Sequence, residues 1–217
     1  MEELKEIIRM IAYVGHCLLA INVFLFFKSY RNKTVAFKII AFYLLYSLIL
    51  QLRMSYLASL KENNWHYGHF YFIGQLVFLS FFFMQELKNK ALSKRIKTYL
   101  LFALIALGIY YSLYPESYEK FNTFEIVVTS VPLLVYCFIF FTKRVGSSNN
   151  NFLFFNAGLF LYILCSTLLF AAGNVSLSIT MNYIWAFNVV LVIIYQLCIL
   201  LEWYKNVRPK NRVTSRV

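Results

Sequence analysis

Hydrophobic and polar positions alternate along this chain in long blocks. Seven apolar stretches, at about 7–27, 34–60, 69–87, 98–115, 125–142, 152–174 and 181–204, are separated by short polar segments. A helix rising 1.5 Å per residue needs ~20 residues to cross a bilayer, and each stretch is near that length. The pattern predicts an all-α integral membrane protein, a bundle of seven transmembrane helices. The fourth and fifth stretches are the shortest, and the second is long enough to tilt or to project. No polar segment could hold a separate soluble domain, so residues 1–217 are expected to form one seven-helix transmembrane domain.

Within the blocks, polar residues fall on helical faces. In the last stretch Asn188, Tyr195 and Glu202 lie seven apart, with Trp185, Gln196 and Trp203 beside them. A polar group in hydrocarbon is costly without a partner, so this face should look at other helices. The third stretch carries Tyr71, Gln75, Phe82 and Glu86 down one side. The first places Arg9, Tyr13 and His16 together, and the second has Tyr43, Ser47, Arg53 and Met54 on overlapping faces. Pro132, after Thr129 and Ser130, predicts a kink in the fifth. Small and polar residues of the sixth (Asn156, Ala157, Gly158, Ser166, Thr167) predict a closely packed face. Gly146 to Asn151 reads as a loop. A weak internal repeat is visible: Glu86 and Glu202 end the third and seventh stretches, and Asn64, Trp65, Asn182 and Trp185 mark their starts.

Composition agrees with a membrane protein. The chain is 61% hydrophobic, 20% aromatic and only 14% charged, where a soluble domain has about 25% charged residues. A net charge of +12 would point to nucleic acid in a soluble protein. Here the basic residues sit in alternate loops: Lys28, Arg31 and Lys33; then Lys88, Lys90, Lys94, Arg95 and Lys97; then Lys143 and Arg144. The tail adds Lys205, Arg208, Lys210, Arg212 and Arg216. The other side has Lys5, Arg9, Lys61 and Lys120 and most of the acids, Glu2, Glu3, Glu6, Glu62, Glu116, Glu119 and Glu125. The positive-inside rule then places the N-terminus outside, the C-terminus in the cytoplasm, and the protein as multi-pass in the cell membrane. The expected partners are the lipid bilayer and, in a larger assembly, a membrane protein, with no nucleic acid. The acidic start MEELKEIIRM and the run Lys28 to Lys33 do not resemble a cleavable signal.

Candidate chemistry is sparse. Cys17, Cys137, Cys165 and Cys198 all fall in apolar stretches and are expected to be buried free thiols. His66 and His69 share a helical spacing but lack a third metal ligand, so they read as interfacial residues beside Trp65 and Tyr67. His16 reads as a packing residue. Glu86 and Glu202 each pair with a nearby base such as Lys38, Lys28 or Lys88, or else form a carboxylate site at the inner mouth of a cavity. Arg53 needs a partner such as Glu62, or binds an anionic group. The chain has no Asp, which excludes aspartyl intramembrane proteases and Asp-bound metal sites. Three His are too few for di-iron boxes, the seventh stretch has no interior Lys for a Schiff base, and no Gly-rich phosphate loop appears.

The function expected from these faces is non-enzymatic. A small or amphipathic ligand would bind between helices 3 and 7, in a transporter or sensor, through Gln75, Glu86, Asn188, Tyr195 and Glu202 with Arg53. No metal or cofactor is called for. The alternatives are a lipid-modifying enzyme using His16, Tyr195 and the two glutamates as acid–base groups, and a structural subunit of a membrane complex.

Overall fold

The computed structural model describes residues 2–119, 122–145, 147, 150–173 and 178–207, and the side chains of all of these but 2–5, 65, 171–173 and 178–182. The α-helices are α1 (Glu2–Lys28), α2 (Val35–Ser59), α3 (Trp65–Leu87), α4 (Lys90–Leu113), α5 (Thr123–Arg144), α6 (Leu153–Gly173) and α7 (Ser178–Val207). A short 3-10 helix, Pro115–Glu119, joins α4 to α5. All seven α-helices hold a stretch long and apolar enough to cross a bilayer, so this is a polytopic all-α membrane protein. Several groups weighed in the sequence lie outside the described residues: the side chains of Glu2, Glu3, Lys5, Trp65 and Asn182, the residues Lys120, Gly146, Ser148 and Asn149, and the tail from Arg208.

Local chemistry sets the helix limits. The Thr34 hydroxyl caps α2 by accepting the Phe37 amide at 3.3 Å. Asn89 caps α4, accepting the Leu92 amide at 2.9 Å, just after Lys88 turns the chain through the left-handed region with φ 46°. This cap is why α4 starts at Lys90 and not at the apolar boundary near residue 98. Lys90, Lys94, Arg95 and Lys97 are good helix formers and occupy its first two turns. They lie on the helix, not in a loop.

α5 runs unbroken through Pro132. A proline lacks the amide that would bond the carbonyl four residues back. That carbonyl, on Val128, instead accepts the Tyr99 hydroxyl of α4 at 2.8 Å. The site of the expected kink is therefore where α4 is fastened to α5.

α1, α2, α3, α5, α6 and α7 close into a ring in that order, with α4 outside against α3 and α5. Among the described residues, α3 and α7 face each other across the ring without packing directly. Successive helices alternate in direction. One end gathers the basic connections α1–α2, α3–α4 and α5–α6 with the end of α7, and is called the basic end below. The core is concentrated in this half, where Phe26, Phe37, Phe82, Phe83, Phe140 and Phe155 are fully buried. Gly158 lets α6 and α7 approach: a side-chain carbon there would come within 2.6 Å of Cys198 Cβ. Asn156 and Ser166 are buried with it, but Ala157 is exposed. Cys17 is also exposed, on the outside of α1, in contrast to the buried thiol expected there. Large apolar side chains such as Phe24, Phe102, Phe138 and Phe187 cover the outer surface, as a bilayer solvent requires.

Polar ties fasten the basic end. Glu202 is fully buried on α7, and its carboxylate accepts the amides of Phe152 (2.7 Å), Phe154 (2.9 Å) and Phe155 (3.4 Å). The first amides of a helix have no partner within it and carry its positive dipole end, so a carboxylate is well placed there. Asn206 Nδ2 adds a fourth donor to the same carboxylate at 2.7 Å. Glu86 of α3 pairs with Arg144 of α5, and Lys143 donates to the Leu87 carbonyl at 3.1 Å. Between α1 and α7, Asn22 Nδ2 donates to the Gln196 carbonyl and to its Oε1, both at 2.9 Å. Trp203 Nε1 donates to the Leu25 carbonyl at 2.9 Å.

Candidate functional site

The other half of the bundle is hollow. Two joined chambers of about 320 and about 370 Å³ share His16, Gln51, Ser55, Gly68, Phe72 and Trp185 on their walls. The first reaches Asn64, His69, Asn122 and Glu125; the second reaches Arg9, Tyr71, Tyr162, Phe170 and Asn188. Sites for small molecules have this character: about 300–1,000 Å³, mostly apolar, with a few placed polar groups. The space exists because α3 and α7 stand apart. At Gly68 of α3 a side-chain carbon would meet nothing within 4 Å.

One wall is polar and buried. His69, in the first turns of α3, is 4% exposed, and Glu125, in the first turn of α5, is 1% exposed. Their Nδ1 and Oε2 atoms are 2.5 Å apart. The Tyr111 hydroxyl of α4 lies 2.8 Å from the same Nδ1, and His69 Nε2 lies 3.2 Å from the Tyr118 carbonyl. Asn122 positions the group. Its Oδ1 caps α5 by accepting the amides of Phe124 (3.0 Å) and Glu125 (3.3 Å), while its Nδ2 donates to the Tyr111 hydroxyl at 3.3 Å. Glu125 Oε1 is buried and has no hydrogen-bond partner among the described residues.

The floor is a second polar cluster. The hydroxyls of Tyr71 and Tyr162 are 3.3 Å apart, and Gln75 Nε2 donates to the Tyr43 hydroxyl at 2.9 Å. The Tyr162 and Tyr195 rings stack with centroids 5.3 Å apart and 6° between planes. These aromatic rings separate the cavity from the packed half below.

The residues singled out from the sequence go to different places. Asn188 lines the cavity, and its Oδ1 is buried without a partner among the described residues. Gln75 and Tyr195 belong to the floor cluster. Glu86 and Glu202 lie at the basic end, one held by Arg144 and the other by the amides of α6. Glu86 thus pairs with a base, Arg144, with the charge of Lys88 also acting on it, while Glu202 is held by amides instead. Arg53 is exposed on α2, where its Nε donates to the Tyr67 hydroxyl at 3.2 Å and its guanidinium lies 5.7 Å from the Tyr56 ring centre, with Tyr67 in the place expected for Glu62. Of the polar face of α1, His16 and the exposed Arg9 line the cavity, while Tyr13 is exposed and does not. His66 lies against Tyr67 at 4.3 Å, apart from the His69 group.

Sequence reasoning passed over the pairing of His69 with Glu125. The signal available was an acid at the edge of an apolar stretch and a histidine at the edge of another, at the same end of the bundle. Nothing in the sequence says that these two residues, 56 positions apart, meet. No family model, curated protein or solved structure matches the chain.

Proposed function

We propose that the protein is a non-enzymatic transporter or sensor that binds a small or amphipathic ligand between α3 and α7. The observation that carries this reading is the hollow half: a cavity with mostly apolar walls and two buried polar atoms, Glu125 Oε1 and Asn188 Oδ1, without partners among the described residues. A buried acceptor left unpaired is costly, and a ligand that supplies donors removes the cost. Phe72, Met54 and Trp185 would cover the apolar body of the ligand, Asn188 would orient it, and the floor with Gln75 and Tyr195 would set its depth. Glu86 and Glu202 would serve it from a distance by holding the basic end rigid, and Arg53 by holding α2 to α3. The positive-inside rule supports a cytoplasmic basic end and C-terminus in the cell membrane, with the cavity then facing outward. As a sensor, the protein would act through a membrane partner.

Native mass spectrometry of the protein released from its own membranes tests this. Wild type should carry a bound small molecule, and Gly68→Phe, which fills the cavity, should lose it. The same adduct on both proteins would count against the reading.

A further inference from the structure

We propose that the Glu125 end of the cavity is a subsite for a protonated amine, so that the ligand is an apolar molecule bearing an ammonium group. This rests on the ligand-binding reading above and specifies its chemistry. The argument begins with protons. His69 Nε2 faces a backbone carbonyl, which only accepts, so Nε2 carries a hydrogen. Nδ1 has two close partners, Glu125 Oε2 at 2.5 Å and the Tyr111 hydroxyl at 2.8 Å. With the hydrogen of Nδ1 directed to the closer one, Oε2, the carboxylate is the acceptor and Oε1 carries no hydrogen. Oε1 therefore offers only lone pairs; it is buried with no donor among the described residues, on a residue that lines the first chamber.

A ligand must bring a donor to that atom. Two features favour a cationic donor over a neutral one. Glu125 is the one carboxylate among the described lining residues, and Arg9, the one Lys or Arg among them, lines the other chamber. An ammonium at Oε1 would make a charge-assisted bond to the carboxylate, and such bonds are about twice as strong as neutral ones. The apolar body then lies along Met54, Phe72 and Trp185, and the ring faces of Phe72 and Trp185 also attract cations.

The test uses the full chain in lipid nanodiscs and isothermal titration with phenethylamine, phenethyl alcohol and phenylacetate, with empty nanodiscs as blank. These probes share a ring and differ in the polar end. Wild type should bind the amine about tenfold or more tighter than the alcohol. Glu125→Gln should remove that preference and leave the alcohol unchanged. Gly68→Phe should abolish binding of both. Equal affinity for amine and alcohol in wild type, with both lost in Gly68→Phe, would overturn the amine subsite and leave the cavity standing. A preference for phenylacetate would reassign the site to an anion and also overturn it. Amine binding that survives Gly68→Phe would remove subsite and cavity together. The wild-type comparison needs no variant, so a Glu125→Gln chain that fails to fold does not weaken the test.

Discussion

The two halves of the bundle are built from the same helices but finished differently. At the basic end large side chains interdigitate, and the charged groups are consumed by structure: Glu202 by the amides of α6, Glu86 by Arg144, Lys143 by the Leu87 carbonyl. At the other end α1 and the last turns of α2 are mostly exposed or half-buried; Glu125 and Asn188 there keep buried oxygens without partners among the described residues, as Asn22 and Asn156 do in the packed half, so the halves differ in packing more than in polar satisfaction. In lipid, helices gain little from hiding apolar surface, so close packing and polar ties decide where they come together. A ring clamped at one end can stay open at the other. The clamp supplies rigidity, and the opening supplies a place for a ligand.

The comparison breaks most easily at Glu202. Glu202→Ala would strand the amides of Phe152, Phe154 and Phe155 and should cost about 3 kcal/mol or more of unfolding free energy. Asn188→Ala in the hollow half should change it by less than about 0.5 kcal/mol. Denaturant titration of both in detergent checks this, and equal losses would mean that the halves are not differently built. Glycines give the next contrast. Gly158→Leu must force α6 off α7 and should cost about 1–3 kcal/mol, whereas Gly68→Leu points into open space and should be neutral to slightly stabilising. Smaller still is the Glu86–Arg144 pair. A double-mutant cycle with Glu86→Gln and Arg144→Gln should give a coupling of about 1 kcal/mol that falls with salt. Tyr99→Phe, which frees the Val128 carbonyl before Pro132, should cost about 0.6 kcal/mol.

Much of the bundle was legible because a run of about 20 apolar residues has few alternatives in a membrane chain. The start of α4 was not, because its lysines and arginine lower hydropathy while favouring helix, and the Asn89 cap decides the boundary. Periodicity drew polar stripes on α3 and α7, but the cavity is lined from α1 and α2 as well, and of those stripes only Tyr71, Trp185 and Asn188 reach it. It could not say what each polar group meets. Glu202 looked like a ligand carboxylate because a charge inside an apolar span suggests function. Its partner is the backbone of another helix, which no pattern of side chains displays. Glu125 and His69 looked marginal for the opposite reason: each lies at the edge of its stretch, and only the meeting of α3, α4 and α5 buries them.

The most direct test of the hollow half is thermal unfolding of wild type and Gly68→Phe side by side, with and without phenethylamine. Without ligand the two should unfold at similar temperatures, since the Phe enters empty space. With ligand only wild type should gain stability, by an amount that grows with concentration as binding to the folded state requires. An equal gain in both proteins would contradict the account.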